Sequence, residues 1–156
     1  MPIEVGTVAP DFTLKDQDHS EVTLSGFQGN APVLLVFYPF AFSRICTGEL
    51  RELRDGLASY TDAGAEVLAI STDPTYALRA YADQEGYRFP LLSDFWPHGE
   101  ISRTYGVFNE KAGMAVRGTF LVDRDAMVTF AEVNGRGQAR DQAAWRRAVE
   151  AVARTT

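Results

Sequence analysis

The sequence predicts an α/β domain: a mixed central β-sheet flanked by helices, formed by the whole chain, residues 1–156. Three observations predict it. Two apolar segments, Pro32–Pro39 and Glu66–Thr72, are rich in β-forming residues and read as central strands covered on both faces. Each is followed by a segment of helical periodicity, the alternation that builds a parallel α/β core. Near the end, two strand segments joined by a short polar turn precede a last helix, so antiparallel strands are added and the sheet is mixed.

Taken in order, residues 7–15 read as extended chain, and Glu21–Leu24 alternates as a short strand. Gly26, Gly29, Asn30 and Pro32 mark turns before the first central strand, which Pro39 ends. From Ser43 to about Tyr60 the pattern is helical, with Leu50, Leu53 and Leu57 on one face and Cys46 one turn earlier on the same stripe. Ser43 is placed to cap this helix. After the strand Glu66–Thr72, Asp73-Pro74 carries a cap-then-proline start for a helix to about Glu85. Phe89–Ser93 reads as a short strand and His98–Thr104 as a short helix. Ala115–Val122 and Met127–Val133 form a hairpin through Asp123–Ala126. Asp141 to about Arg154 is the last helix, its inner face Trp145, Ala148, Val149 and Val152. A central βαβ followed by ββα is the plan of a thioredoxin-like fold.

Composition excludes several classes of function. Hydrophobic residues make up 46% and charged residues 23%, the balance of a folded globular domain. Net charge is −6, with no basic stripe, which argues against nucleic acid and anionic membranes as partners. No apolar run approaches the roughly 20 residues that span a bilayer. The first residues show no basic segment leading into an apolar core, so the expected location is the cytoplasm. GxSxG, GxxxxGK[ST] and HExxH are absent, and the stretch Gly135–Arg140 lacks the third glycine of a dinucleotide loop. The single cysteine cannot form an internal disulfide or a CxxC pair, and His19 and His98 are far apart, so neither a metal nor a cofactor is expected.

Chemistry therefore concentrates on Cys46. A lone cysteine on the apolar face of a helix often serves as a small buried hydrophobe. This one falls in the first turn of a helix that directly follows a central strand. Free N–H groups and the positive end of the helix dipole there favour thiolate, and the carboxyl ends of central strands are where α/β sheets place their sites.

The local sequence Pro39-Phe-Ala-Phe-Ser43-Arg-Ile-Cys46 resembles the peroxiredoxin signature Pro-x-x-x-Thr/Ser-x-x-Cys, with the less usual Ser as the hydroxyl residue. Three further segments agree: Ala9–Leu14 resembles the family's APDF-L element, Phe89–Asp94 its FPLLSD segment, and Arg117–Asp123 its arginine-bearing strand. The resemblance covers nearly the whole chain. Phe95–Gly99 and the closing strand and helix are similar to the alkyl hydroperoxide reductase E type of one-cysteine peroxiredoxin.

That resemblance implies a thioredoxin-like fold of peroxiredoxin type and a thiol-dependent peroxidase. Its substrates would be hydrogen peroxide, organic hydroperoxides and peroxynitrite. Cys46 would be the nucleophile and pass through a sulfenic acid. Arg117 would favour the thiolate and hydrogen-bond the peroxide oxygens, because guanidinium is always charged and offers several fixed donors. Ser43 can donate and accept towards a hydroperoxide, or act as the helix cap alone. Pro39 shields the thiolate without presenting an N–H, or simply ends its strand. Glu49 matches a family acidic position and would otherwise be a solvated helix charge. With no second cysteine, an external thiol or redoxin must resolve the sulfenic acid. The resemblance, with 13 Arg against 2 Lys, points first to mycothiol with mycoredoxin; thioredoxin, or glutathione with glutaredoxin, stays open. Phe95, Trp96, Pro97 and His98 are the expected interface of a homodimer or larger assembly, although Trp96 could instead cover the domain's own core. A non-catalytic thioredoxin-like module with a structural Cys46 is the alternative.

Overall fold

The computed structural model describes residues 1–135 and 138–153. Among these residues there are nine strands: β1 Thr13–Lys15, β2 Glu21–Thr23, β3 Val33–Phe37, β4 Glu66–Ser71, β5 Leu91–Ser93, β6 Phe108–Asn109, β7 Met114–Ala115, β8 Arg117–Val122 and β9 Val128–Asn134. Five α-helices accompany them: α1 Arg44–Asp55, α2 Leu57–Thr61, α3 Thr75–Glu85, α4 Glu100–Thr104 and α5 Gln142–Ala153. The predicted end of the last helix at Arg154 lies outside the described residues.

Seven strands form one sheet in the order β2-β1-β5-β4-β3-β8-β9. β3, β4 and β5 are parallel, while β8 and β9 on one side and β1 and β2 on the other are antiparallel. The sheet is therefore mixed, as the sequence predicts. β3 is buried along its whole length, which is why it reads as an unbroken apolar run rather than an alternating one.

Alternation along the strands separates two apolar clusters. Leu34, Val36, Val67, Ala69, Leu91 and Leu121 face Leu50 and Leu53 of α1, Leu78 and Tyr81 of α3, and Trp145 and Val149 of α5. Val33, Leu35, Phe37, Leu68, Ile70 and Phe120 face Phe12, Leu24, Tyr105 and Val107. With Tyr60 of α2 in the same cluster, four helices share one face. The other is covered by α4, the N-terminal segment and a small hairpin, β6–β7, that the sequence did not announce. Its strands have two residues each, too short for a period to register. Gly118 keeps this covering close: a Cβ there would lie 2.8 Å from Val107 Cγ1.

The helix predicted from Ser43 to Tyr60 is two helices. The first ends at Gly56, and α2 restarts at Leu57. Asp73-Pro74 also works differently from the prediction. Pro74 holds the cap position of α3, while the Asp73 carboxylate accepts the Ala41 amide (2.8 Å) and the Ser71 hydroxyl (2.7 Å), tying the loop after β3 to the end of β4.

Candidate active site

β3 delivers the chain to the carboxyl edge of the sheet, where Tyr38 is still buried and Pro39 is half-buried. Phe40–Phe42 make a turn, with Phe42 at φ +67° and its ring 4.8 Å from that of Tyr81. α1 then begins. Ser43 occupies the cap position with extended backbone, but its hydroxyl makes no capping bond, so the capping role expected for that side chain is not realised. The hydroxyl is left uncommitted to the helix. Cys46 comes one turn in, 2% exposed, with its side chain in the apolar cluster beneath α1. It is the sole cysteine and is unbridged.

Glu49 and Arg117, far apart in sequence, meet beside this turn. The Arg117 guanidinium donates from Nε to Glu49 Oε1 (3.2 Å), from Nη2 to Glu49 Oε2, and from Nη1 to the Gly135 carbonyl (2.9 Å). A two-point arginine–carboxylate contact of this kind fixes the plane of the guanidinium as well as its position. The side chains are 8% and 15% exposed. Arg117 is therefore not a surface ion pair, and Glu49 is not a solvated helix charge.

A third member was not singled out in the sequence. Arg140 lies 3.2 Å by Nε from Glu49 Oε1, its side chain 1% exposed. It donates to the Phe37 carbonyl and to Thr119 Oγ1 (3.2 Å), bridging the ends of β3 and β8. Burial pushes its pKa down to about 10, with the Glu49 carboxylate working against that shift and Arg117 adding to it. Cys46 is also among the groups coupled to the Arg140 charge, which places the thiol inside the same electrostatic unit. One carboxylate thus serves two buried guanidiniums. Gln142 adds a hydrogen bond from Nε2 to the Glu49 carbonyl (2.9 Å), anchoring α5 to α1. No local signal marks Arg140, because it sits in a polar stretch just before α5 and acquires its role only when that helix packs.

Thr47 fixes the other side of the turn through a 2.9 Å hydrogen bond to Tyr81 Oη. An open cleft along the outer side of α1, lined by Ile45, Gly48, Glu49, Arg117 and Arg140, gives solvent access to the arginine side of the site. Among the described residues no group of His, Cys, Asp or Glu is placed to hold a metal ion.

The structure gathers Cys46, Ser43, Pro39, Glu49 and Arg117 at one edge of the sheet. Phe95–His98 lie in the loop after β5. Phe95 (47% exposed) and Trp96 (81%) project outward, so Trp96 does not cover the core of its own domain. His98 is half-buried, with Nε2 2.7 Å from the Gly113 carbonyl and its ring against Phe95 and Phe108, which gives it a packing role. Asp94, at the end of the FPLLSD segment, accepts the Ile101 and Ser102 amides and the Ser102 hydroxyl, holding α4 under this loop.

Comparison with known proteins agrees with this geometry. The AhpC/TSA family model matches residues 5–131. The chain is 52% identical over 150 residues to alkyl hydroperoxide reductase E of Mycobacterium tuberculosis, covering 96% of this chain and 98% of that protein. It is 38% identical over 133 residues to peroxiredoxin Bcp of Escherichia coli, covering 81% and 83%. The crystal structure of peroxidoxin BcpB from Mycobacterium tuberculosis superposes with a TM-score of 0.84 at 29% identity, covering 98% of this chain and 97% of that one. Matched by the family model over most of its length, with its one cysteine at the start of α1, the chain belongs to the AhpC/TSA family and is a peroxiredoxin.

Proposed function

We propose that this peroxiredoxin, a thiol-dependent peroxidase by its family, reduces hydrogen peroxide and organic hydroperoxides, and peroxynitrite as a third substrate, through Cys46. The observation that carries the reading is the buried Glu49–Arg117–Arg140 network beside the first turn of α1. Two guanidiniums against one carboxylate leave net positive charge beside the sulfur, the surroundings that an attacking thiolate needs. The thiolate attacks one peroxide oxygen in line. An S–O bond forms as the O–O bond breaks, sulfur gives up two electrons, and the second oxygen leaves as hydroxide or alkoxide, which a proton from solvent neutralises. Arg117 supports the charge developing on the oxygens. The uncommitted Ser43 hydroxyl donates to or accepts from the hydroperoxide, and Pro39 walls the pocket without an N–H to compete for the sulfur.

The product is a sulfenic acid at Cys46. The chain has no second cysteine, so an external thiol completes the cycle. Mycothiol with mycoredoxin is the first choice, resting on the likeness to alkyl hydroperoxide reductase E and on the arginine-rich composition; thioredoxin and glutathione with glutaredoxin are the alternatives. We assign the chain to the cytoplasm and to a homodimer, which can assemble further, joined through Phe95, Trp96 and Pro97. The exposure of two large aromatic side chains in one loop supports that interface. No described helix is long and apolar enough to cross a membrane.

One equivalent of peroxide should add 16 Da at Cys46, one oxygen, and a low-molecular-weight thiol added next should form a mixed disulfide there. Peroxidase turnover sustained by Cys46→Ser, or sustained with no external reductant, would refute the mechanism.

A further inference from the structure

The outer side of α1 carries two residues that the mechanism leaves unused, Arg44 and Gly48. Both line the open cleft whose inner wall is Glu49, Arg117 and Arg140. Arg44 is the first residue of α1, two positions before Cys46. A cation there is set against the positive end of the helix dipole, and the first turn holds no acidic residue to offset it. The position one turn on, where a carboxylate would pair with Arg44, is Gly48. Glu52 lies on the same row two turns on, about 12 Å along the axis, and the arginine side chain leans the other way, towards the N-terminus. Glu49 is committed to Arg117 and Arg140. Among the described residues the Arg44 side chain therefore has neither a hydrogen bond nor an ion pair. Gly48 is the second oddity. A glycine inside a helix lowers stability relative to alanine, and it is expected where a side chain would collide. No collision explains this one: a Cβ built on Gly48 meets no atom within 4 Å. The space above it is simply left open, and Ile45, 55% exposed, borders that space with an apolar surface.

An open bed with an apolar border and an unpaired guanidinium at its end fits an elongated ligand with a negative charge at the far end. The chain as a whole carries a net charge of −6, so an anion is repelled by the molecule and needs a local cation to approach the site. We propose that this cleft is a subsite for anionic organic hydroperoxides, in which Arg44 is the counter-charge of a carboxylate remote from the O–O bond and Gly48 leaves room for the alkyl segment. The proposal rests on Cys46 being the oxidised thiol and organic hydroperoxides its substrates. Residues two apart on a helix do not face each other, so Arg44 meets the remote carboxylate and not the reacting atoms. It is a specificity-determining residue. The chemistry at sulfur is that of the peroxidase step: the S–O bond forms as the O–O bond breaks, sulfur gives up two electrons, and the alkoxide leaves and takes a proton from solvent. The carboxylate is neither formed nor consumed. Arg44 changes how often, and in which orientation, the anion arrives.

The test compares a tert-alkyl hydroperoxide bearing one carboxylate with its methyl ester, the same molecule without the charge, in stopped-flow oxidation of the reduced protein at neutral pH. The readout is the ratio of the acid to the ester rate constant, which cancels any effect of a variant on the thiol itself. Arg44→Gln should lower that ratio about 3- to 5-fold, the worth of one exposed ion pair. In wild type the ratio should fall towards that of the variant as salt rises from about 0.01 to 1 M, because screening removes the attraction; in Arg44→Gln it should stay flat. Gly48→Leu fills the bed. It should slow the acid and the ester about 10-fold relative to hydrogen peroxide, the usual penalty for a misfit of apolar groups in a substrate pocket. Its thermal melt should be no lower than that of wild type, since leucine is the better helix former. An acid-to-ester ratio that Arg44→Gln leaves unchanged, or a Gly48→Leu protein that slows hydrogen peroxide as much as the organic probes, would overturn the proposal while leaving Cys46 a peroxidase thiol. A wild-type protein in which no peroxide oxidises Cys46 would instead strike the peroxidase reading, and the subsite with it.

Discussion

Glu49→Gln removes one negative charge and almost no volume, yet it leaves two buried guanidiniums without their counter-ion. The Arg117 and Arg140 side chains are 8% and 1% exposed, and both rest on Glu49, itself 15% exposed. Removing one partner of a buried ion pair costs about 3–5 kcal/mol, chiefly because the remaining charge stays out of water uncompensated. Partial exposure of Glu49 places this case at the lower end, about 3 kcal/mol, since water can enter beside the new amide. Arg140 bears most of the loss, because Glu49 is the main influence that opposes the downward push of burial on its pKa. In a domain of this size 1 kcal/mol corresponds to about 2–4 °C in Tm, so the variant should melt about 6–12 °C lower. Urea unfolding of the reduced protein at neutral pH gives the free energy, and calorimetry gives Tm. Adding Arg117→Gln to Glu49→Gln should recover part of the loss, because one uncompensated charge is then gone. A Glu49→Gln protein within about 1 kcal/mol of wild type would refute the reasoning, since it would mean that water already screens the network.

Three further outcomes are expected. Arg117→Ala should slow oxidation of Cys46 by peroxide about 10²- to 10³-fold, the usual cost of losing a donor to a developing oxyanion, measured by stopped flow; an unchanged rate would remove Arg117 from the mechanism. Phe95→Ala with Trp96→Ala should convert the dimer to monomer in sedimentation velocity at micromolar concentration, and a wild-type protein already monomeric there would dismiss the interface. Glu85 is buried against Arg51 (2.6 Å), and hydrogen bonds from Arg51 and then Gln84 hold its pKa below the ordinary carboxylate value. Its stabilisation is therefore complete above the unfolded carboxylate pKa, near 4.5, and is lost as pH falls from there through the folded value; Glu85→Gln should flatten that part of an acid stability profile.

The local parts of this protein are legible in its sequence. Burial on both faces makes β3 and β4 continuous apolar runs, and burial on one face gives α1, α3 and α5 their period, so composition and spacing alone place Cys46 where a strand hands over to a helix. The residues Pro39, Ser43 and Cys46 lie within eight positions, and their spacing survives any packing of the rest. Arg117 could be nominated only through family resemblance, because nothing around it distinguishes an arginine that turns inward from one that faces water.

Tertiary structure alone decided the remainder. Whether Ser43 caps α1 depends on a hydroxyl rotamer that the sequence does not encode. Asp73 reads as the start of a helix, but its carboxylate has a better use in the Ala41 amide, 32 positions earlier. Arg140 becomes part of the site because α5 packs across α1 and carries the residue before it over the ends of β3 and β8. The physical reason is the same in each case. Periodicity records how much water a residue sees, a local quantity, whereas the partner of a buried charge or proton is chosen by three-dimensional proximity between segments that the chain keeps far apart.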